Sequence, residues 1–217
     1  MESVIDINWI DCDYCVWDGD VAKRLFDIVV SATALFLLSP LFMLVALLIR
    51  LDSKGPIFFS QNRVGKQGQK FRFWKFRSMD VNAEKHKAAL IKLNKMQGGV
   101  LFKMENDPRI TRVGRFIRKM SIDELPQLWN VLIGDMSLVG PRPPLPDEVA
   151  QYTPYQRRRL RVTPGITCIW QVSGRSNIPF VQQVEMDLKY IANQSVWYDM
   201  VLLLKTIPAV LKARGAF

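Results

Sequence analysis

The sequence has 217 residues, enough for one domain with a real core and short for two. Hydrophobic residues make up 49%, the upper end of the soluble range, so membrane contact is expected. The three cysteines exclude a disulfide framework, and the net charge of +10 favours an anionic partner without choosing among phosphate ligands, anionic lipid and nucleic acid.

Met1–Asp20 is an acidic arm without Lys or Arg, so all 30 basic residues lie beyond it. Cys12 and Cys15 have metal-type spacing. A closed zinc site needs four ligands, however, and His86 is the only histidine, so two reduced thiols are the simpler reading. The acidic start and the late apolar run argue against a cleavable signal peptide.

Ile28 to Ile49 carries no charge. At about 22 residues it would be roughly 33 Å long as a straight helix, enough to cross a bilayer. Ser39-Pro40 interrupts it. Pro40 lacks an N–H and its ring crowds the carbonyl of Phe36, which predicts a kink, with the Ser39 hydroxyl placed to satisfy the freed group. Each arm is then about 15–18 Å, half the hydrocarbon thickness. Lys23 and Arg24 precede the segment and Arg50 and Lys54 follow it; basic residues at both ends fit a helix that dips in and returns to one face. A kinked spanning helix is the alternative.

A hairpin is predicted from Ile57–Ser60 and Lys70–Arg77 around Gly65-Lys66-Gln67-Gly68. Its second strand interleaves bases with aromatics, a pattern shared by single-strand nucleic-acid platforms and by strands at a membrane surface; the neighbouring apolar segment favours the membrane. A solvated helix is expected over Asn82–Met96, including His86, ending at Gly98-Gly99. Asp107-Pro108 marks a turn before Ile110–Met120.

Ser121 to Asn130 must start another helix. Ser121 with Glu124 fits a capping box, whereas Pro126 in a first turn favours Asp123 as the N-cap. Two capping acids are the simple reading. The chemical reading uses the same geometry: a carboxylate at a helix N-terminus stays ionised and can attack phosphorus. Arg118 could neutralise an incoming phosphate, and Mg²⁺ on Asp123 could bridge carboxylate and phosphate oxygens. Adjacent acids are too close to bracket a glycosidic bond.

Gly134 to Pro144 then stiffens the backbone around Arg142 with Pro141, Pro143 and Pro144, as a phosphate clamp or a plain surface turn. Gln156–Arg161 is either a solvated basic face or a site for headgroups or a nucleotide diphosphate. Arg175 is a weaker phosphate candidate. Ser195–Lys212 is apolar but broken by Asp199, Lys205 and Pro208, so it either rests in the headgroup layer or packs on the body.

Taken together, Lys23-Arg24-x-x-Asp27, Ser39-Pro40, Lys75-Phe76-Arg77-Ser78-Met79, Asp107-Pro108-Arg109, Ser121–Asn130, Gly134–Pro143 and Thr163-Pro164-Gly165-Ile166-Thr167 resemble, in order and spacing, the monotopic polyprenyl-phosphate phosphoglycosyl transferases. Gly98–Arg109 and Trp170–Arg175 look most like the hexose-1-phosphate branch. Many members of that branch carry a four-helix membrane region and a further domain in front, whose roles are expected to be absent or supplied elsewhere. Cys168 stands where the family commonly has glycine.

The resemblance implies an α+β, mostly helical fold with a small β-hairpin and one re-entrant membrane helix. The chain is expected to divide into an acidic arm (1–20), which has no counterpart in that family, the membrane helix (21–55) and a cytoplasmic-face catalytic domain (56–217). The resemblance also implies a phosphoglycosyl transferase of the bacterial inner membrane that moves a sugar-1-phosphate from a UDP-sugar to undecaprenyl phosphate through a covalent aspartyl intermediate, starting exopolysaccharide, capsule or glycan assembly. Asp123 is the expected nucleophile, Glu124 its assistant and Mg²⁺ the cofactor, with Arg118, Pro141, Arg142, Arg175 and Lys75 at the phosphates. Nucleic acid is not an expected partner, and a homodimer is left open. The alternative is a membrane-anchored basic module binding anionic lipid or nucleic acid.

Overall fold

A computed structural model describes residues 21–83 and 107–211. The acidic arm, Cys12, Cys15, His86 and nearly all of the helix expected over Asn82–Met96 lie outside the described residues.

The apolar segment forms two helices, α1 (Val21–Leu37) and α2 (Ser39–Asp52), bent by 59° at Ser39-Pro40. The Ser39 hydroxyl donates to the Phe36 carbonyl at 2.8 Å, the group Pro40 deprives of its partner. Among the described residues no single helix is long and apolar enough to cross a membrane. Phe36, Leu37, Met43, Leu44 and Leu51 are exposed around the bend.

The basic start of α1 does something other than flank a lipid phase. Arg24 donates to the Val131 and Leu132 carbonyls at 2.6 and 2.9 Å. These belong to the last turn of α4 (Gln127–Ile133), where the Val131 carbonyl also accepts from the Gly134 amide at 3.2 Å. Lys23 pairs with Asp199 and reaches the Val139 carbonyl at 3.3 Å. Asp27 accepts from the Leu138 amide at 3.1 Å. Lys23 and Arg24 therefore tie α1 to the body.

Strands β1 (Phe58–Val64) and β2 (Lys70–Phe76) form the expected hairpin, with β1 extending beyond Ser60. The antiparallel register sets Phe59 opposite Lys75, Gln61 opposite Phe73 and Arg63 opposite Phe71, so these six share one face. Phe73 and Phe76 are buried in the core, so β2 is not a strand with its rings in a headgroup layer.

Next come α3 (Arg112–Lys119), a single 3₁₀ turn (Ile122–Glu124) and α4. Strands β3 (Ser137–Val139) and β4 (Gly165–Thr167) pair in parallel. Short helices α5 (Pro146–Ala150) and α6 (Pro154–Arg157) lie between them. The described chain closes with α7 (Ile169–Ser173), α8 (Phe180–Ala192) and α9 (Val196–Leu211). The class is α+β and mostly helical, as expected.

Helix α9 packs on the body along one face, one of the two roles offered for it. Asp199 and Leu202 are buried, while Trp197, Leu204, Ile207 and Leu211 leave an apolar outer face exposed. The main core joins Phe73, Leu128, Val131, Met136, Leu138, Val139, Tyr190 and Leu202.

Candidate active site

A cleft of about 750 Å³ opens between the hairpin, the 3₁₀ turn and the loop after β3. Lys75, Arg118, Asp123, Glu124, Arg142 and Arg175 all line it. These residues lie up to a hundred positions apart in sequence, so their convergence is a product of the fold.

Three of them are placed by one apolar cluster. Val45 and Ile49 of α2 pack with Phe76 and Ile117, and Ile122 lies against the same cluster. Phe76 follows Lys75, Ile117 precedes Arg118 and Ile122 precedes Asp123. The second arm of the broken helix thus seats the three backbones that carry these groups. Ile49 is 2% exposed, and Ile49→Ala should cost about 3 kcal/mol through lost transfer energy and the cavity left behind. Chemical denaturation of the purified protein measures this; a loss below about 1 kcal/mol would mean that the cluster collapses around the hole.

Asp123 and Glu124 are not helix caps. Pro126 occupies the N-cap position of α4, and Ser121 makes no side-chain cap hydrogen bond. Both acids sit on the 3₁₀ turn, entered through Ser121 at φ 55°, a left-handed conformation that costs a non-glycine residue of order 1 kcal/mol. Among the described residues no hydrogen-bond donor reaches the Asp123 carboxylate, and its ion-pair contact is Lys75 Nζ at 3.8 Å. Glu124 takes the closer contacts, 2.6 Å to Lys75 Nζ and 3.4 Å to Arg142 Nη1.

The two acids consequently diverge. Burial pushes the Asp123 carboxyl above the ordinary range, with Lys75 pulling it back and the Glu124 charge pushing it further up. Burial would also raise Glu124, but Lys75 and Arg142 overcome it and hold Glu124 at about 2. Pro126, not Asp123, takes the N-cap position of α4, and desolvation raises the Asp123 carboxyl where a helix N-terminus would have lowered it. Neighbouring titratable groups driven apart in this way are typical of sites with divided acid–base roles.

Arg142 projects from a loop pinned on both sides. The Gly140 amide donates to Thr167 O at 3.0 Å, the Gly165 amide to Pro141 O at 2.9 Å and the Val64 amide to Pro144 O at 3.0 Å. A Cβ on Gly140 would lie 2.6 Å from the Thr163 carbonyl oxygen, so only glycine lets the loop lie this close to the chain entering β4. Pro141 is buried and does not line the cleft; it serves the loop through its carbonyl. Ser39 and Pro40 belong to the bend of α1 and α2, away from the cleft lining.

The basic run Gln156–Arg161 is not a uniform solvated face. Arg159 is 4% exposed, pairs with Asp187, and donates to the Tyr152 hydroxyl at 3.1 Å. Arg63 and Gln61, which the sequence reading overlooked, also line the cleft. Their signal was the β1 alternation, since both share a face with Lys75 once the strand runs past Ser60.

The donor set suits Mg²⁺, which takes one or two carboxylates and leaves its other positions to phosphate oxygens and water. Asp123, with few donors, and its neighbour Glu124 present such oxygens to the cleft.

Residues 19–213 match the family described as Bacterial sugar transferase. The chain is 51% identical over 197 residues to "Galactosyl transferase CpsE" of Streptococcus agalactiae, covering 90% of this chain and 43% of that protein. It is 40% identical over 202 residues to "Exopolysaccharide production protein ExoY" of Rhizobium meliloti, covering 92% of this chain and 89% of that one. It is 44% identical over 198 residues to "Undecaprenyl-phosphate galactose phosphotransferase" of Salmonella typhimurium, covering 90% of this chain and 41% of that protein. The chain therefore spans less than half the length of two of these relatives and most of the third. With a match running almost from end to end and a cleft joining paired acids to lysine and arginine, the chain belongs to the bacterial sugar transferase family.

Proposed function

We propose that this protein transfers a hexose-1-phosphate from a UDP-sugar to undecaprenyl phosphate, starting the assembly of an exopolysaccharide or capsule. The observation that carries the reading is the placement of Asp123, a buried carboxylate with few donors, in a cleft with Lys75, Arg118, Arg142 and Arg175. The names of its relatives, which refer to galactose and undecaprenyl phosphate, support the same substrates.

In this reading the Asp123 carboxylate attacks the sugar-bearing phosphorus of the donor. A new O–P bond forms, the P–O bond to the inner phosphate breaks, and UMP leaves with the electron pair. The lipid phosphate then attacks the phosphosugar ester, returning the carboxylate. Lys75 and Arg142 hold Glu124 ionised and place positive charge where the phosphates gather. Arg118 adds a cation at the turn that carries the nucleophile. Bound Mg²⁺ would supply charge neutralisation between carboxylate and phosphate oxygens, held by Asp123 with Glu124 beside it.

The bent α1–α2 pair is read as a re-entrant membrane element, residues 21–55, with 56–217 as the catalytic part at the cytoplasmic face of the inner membrane. Its exposed apolar residues and the apolar outer face of α9 support that placement. The lipid acceptor would then meet the cleft at the bilayer surface.

The test is incubation of the protein in nanodiscs with undecaprenyl phosphate, Mg²⁺ and a panel of UDP-hexoses, reading UMP release and lipid-linked label. Turnover with at least one UDP-hexose is expected. Absence of turnover across the panel, with a folded protein, would remove the proposal and favour a basic module that only binds anionic lipid.

A further inference from the structure

We propose that Arg63 is a positioning residue that sets Arg142 for the donor's phosphates, a reading that rests on the proposed function. Arg63 stands on the hairpin face that also carries Lys75. Its Nη1 donates to the Pro143 carbonyl at 3.1 Å, one residue from Arg142, and its Nη2 to Gln61 Oε1 at 3.1 Å. The guanidinium lies 5.3 Å from the centroid of the buried Phe73 ring, which Lys75 Nζ also approaches, at 5.4 Å. The neighbouring Val64 amide holds Pro144 O, so two consecutive β1 residues grip two consecutive carbonyls of the Arg142 loop.

The geometry requires a planar fork. One group must reach a loop carbonyl and a strand side chain at once while lying against an aromatic ring, which a single ammonium cannot reproduce. The arrangement also sets two cations close together. Burial first and Arg142 second lower Arg63 to about 10. Such repulsion is relieved when an anion with more than one charge enters, and the diphosphate of a nucleotide-sugar is that kind of anion. Arg63 has both Nη groups engaged with protein, and its Nε is buried without a hydrogen-bond partner among the described residues, so it acts on the ligand through Arg142.

The experiment is a double-mutant cycle on the full chain in nanodiscs, using Arg63→Ala, Arg142→Ala and both together. It reads kcat/KM for UMP release and, separately, the affinity for UDP with Mg²⁺. Arg63→Ala should lower kcat/KM about tenfold to a hundredfold, as expected when a clamp is misplaced by an ångström or so. Arg63→Lys should fail to restore it. The double variant should be no worse than Arg142→Ala alone, in turnover and in UDP affinity, since one residue works through the other. Multiplying losses would overturn the proposal, as would full activity in Arg63→Lys.

Amide exchange at Gly140, Arg142 and Leu145, the residues of this loop that carry an N–H, provides a readout that needs no substrate. Arg63→Ala should speed exchange there in the free protein, whereas unchanged exchange refutes the clamp even if no UDP-sugar is turned over. Failure of the whole UDP-hexose panel with accelerated exchange would instead count against the proposed donor and leave the Arg63 contact in place.

Discussion

Asp123→Asn is expected to lower phosphosugar transfer by at least about a thousandfold, because an amide oxygen cannot displace UMP from phosphorus. The variant should fold. Asp123 accepts no short hydrogen bond among the described contacts, and Asn nearly preserves its shape. Stability at neutral pH should hold or rise. The folded-state pKa of Asp123 lies above its unfolded value, so the group favours folding only while protonated, and that contribution disappears as pH rises through the folded pKa. Above the folded pKa the protein bears the cost of an ionised buried carboxylate, which Asn removes. The decisive measurement is mass spectrometry of the protein incubated with UDP-hexose and Mg²⁺ before lipid is added. Wild type should carry one phosphohexose on Asp123 and the variant none. A fully active Asn variant, or an adduct elsewhere, would end the covalent mechanism as assigned.

Lys75→Met should be the next most damaging change, about a hundredfold at pH 7. Lys75 stands 2.6 Å from Glu124 and 3.8 Å from Asp123, and it is the strongest influence holding the Asp123 pKa down. Its removal leaves two adjacent buried acids with less positive charge, so Asp123 stays protonated to higher pH. The acid limb of kcat/KM should therefore move to higher pH. Glu124→Gln should move it the other way, because it removes a like charge beside Asp123 and frees Lys75. Glu124, held at about 2, remains ionised throughout the working range and cannot itself produce that limb. Shifts of the same sign in both variants would show that Asp123 is not the group whose ionisation limits the rate.

Much of the fold was legible because the local rules agreed with the outcome. Pro40 breaks a helix wherever it occurs in one, and the Ser39 hydroxyl is within reach of the carbonyl that Pro40 strands. Gly65–Gly68 between aromatic and β-branched runs gave the hairpin. The turn expected at Asp107-Pro108 stands just ahead of α3. The helix over Asn82–Met96 lies outside the described residues apart from its first positions.

Readings that depended on what a side chain meets across the fold fared differently. Lys23 and Arg24 looked like charges flanking a lipid segment, yet they bind Asp199 and the end of α4. Phe73 and Phe76 looked interfacial and are core. Arg159 looked solvated and is paired inside. Asp123 looked like an N-cap, and burial reverses the direction expected of its pKa.

The sequence alone singled out the residues proposed as chemical actors, because a nucleophile, its neighbouring acid and several phosphate-binding cations must be particular residue types, and their order along the chain is readable. It also placed the helix break, since a missing N–H acts within one turn. Tertiary structure alone decided which cations meet which carboxylate, that α2 seats the backbones bearing Lys75, Arg118 and Asp123, and that Arg63 holds the Arg142 loop. The reason is range. Backbone propensities act over a few residues, whereas desolvation and ion pairing depend on whatever the fold brings within about 4 Å, from anywhere in the chain.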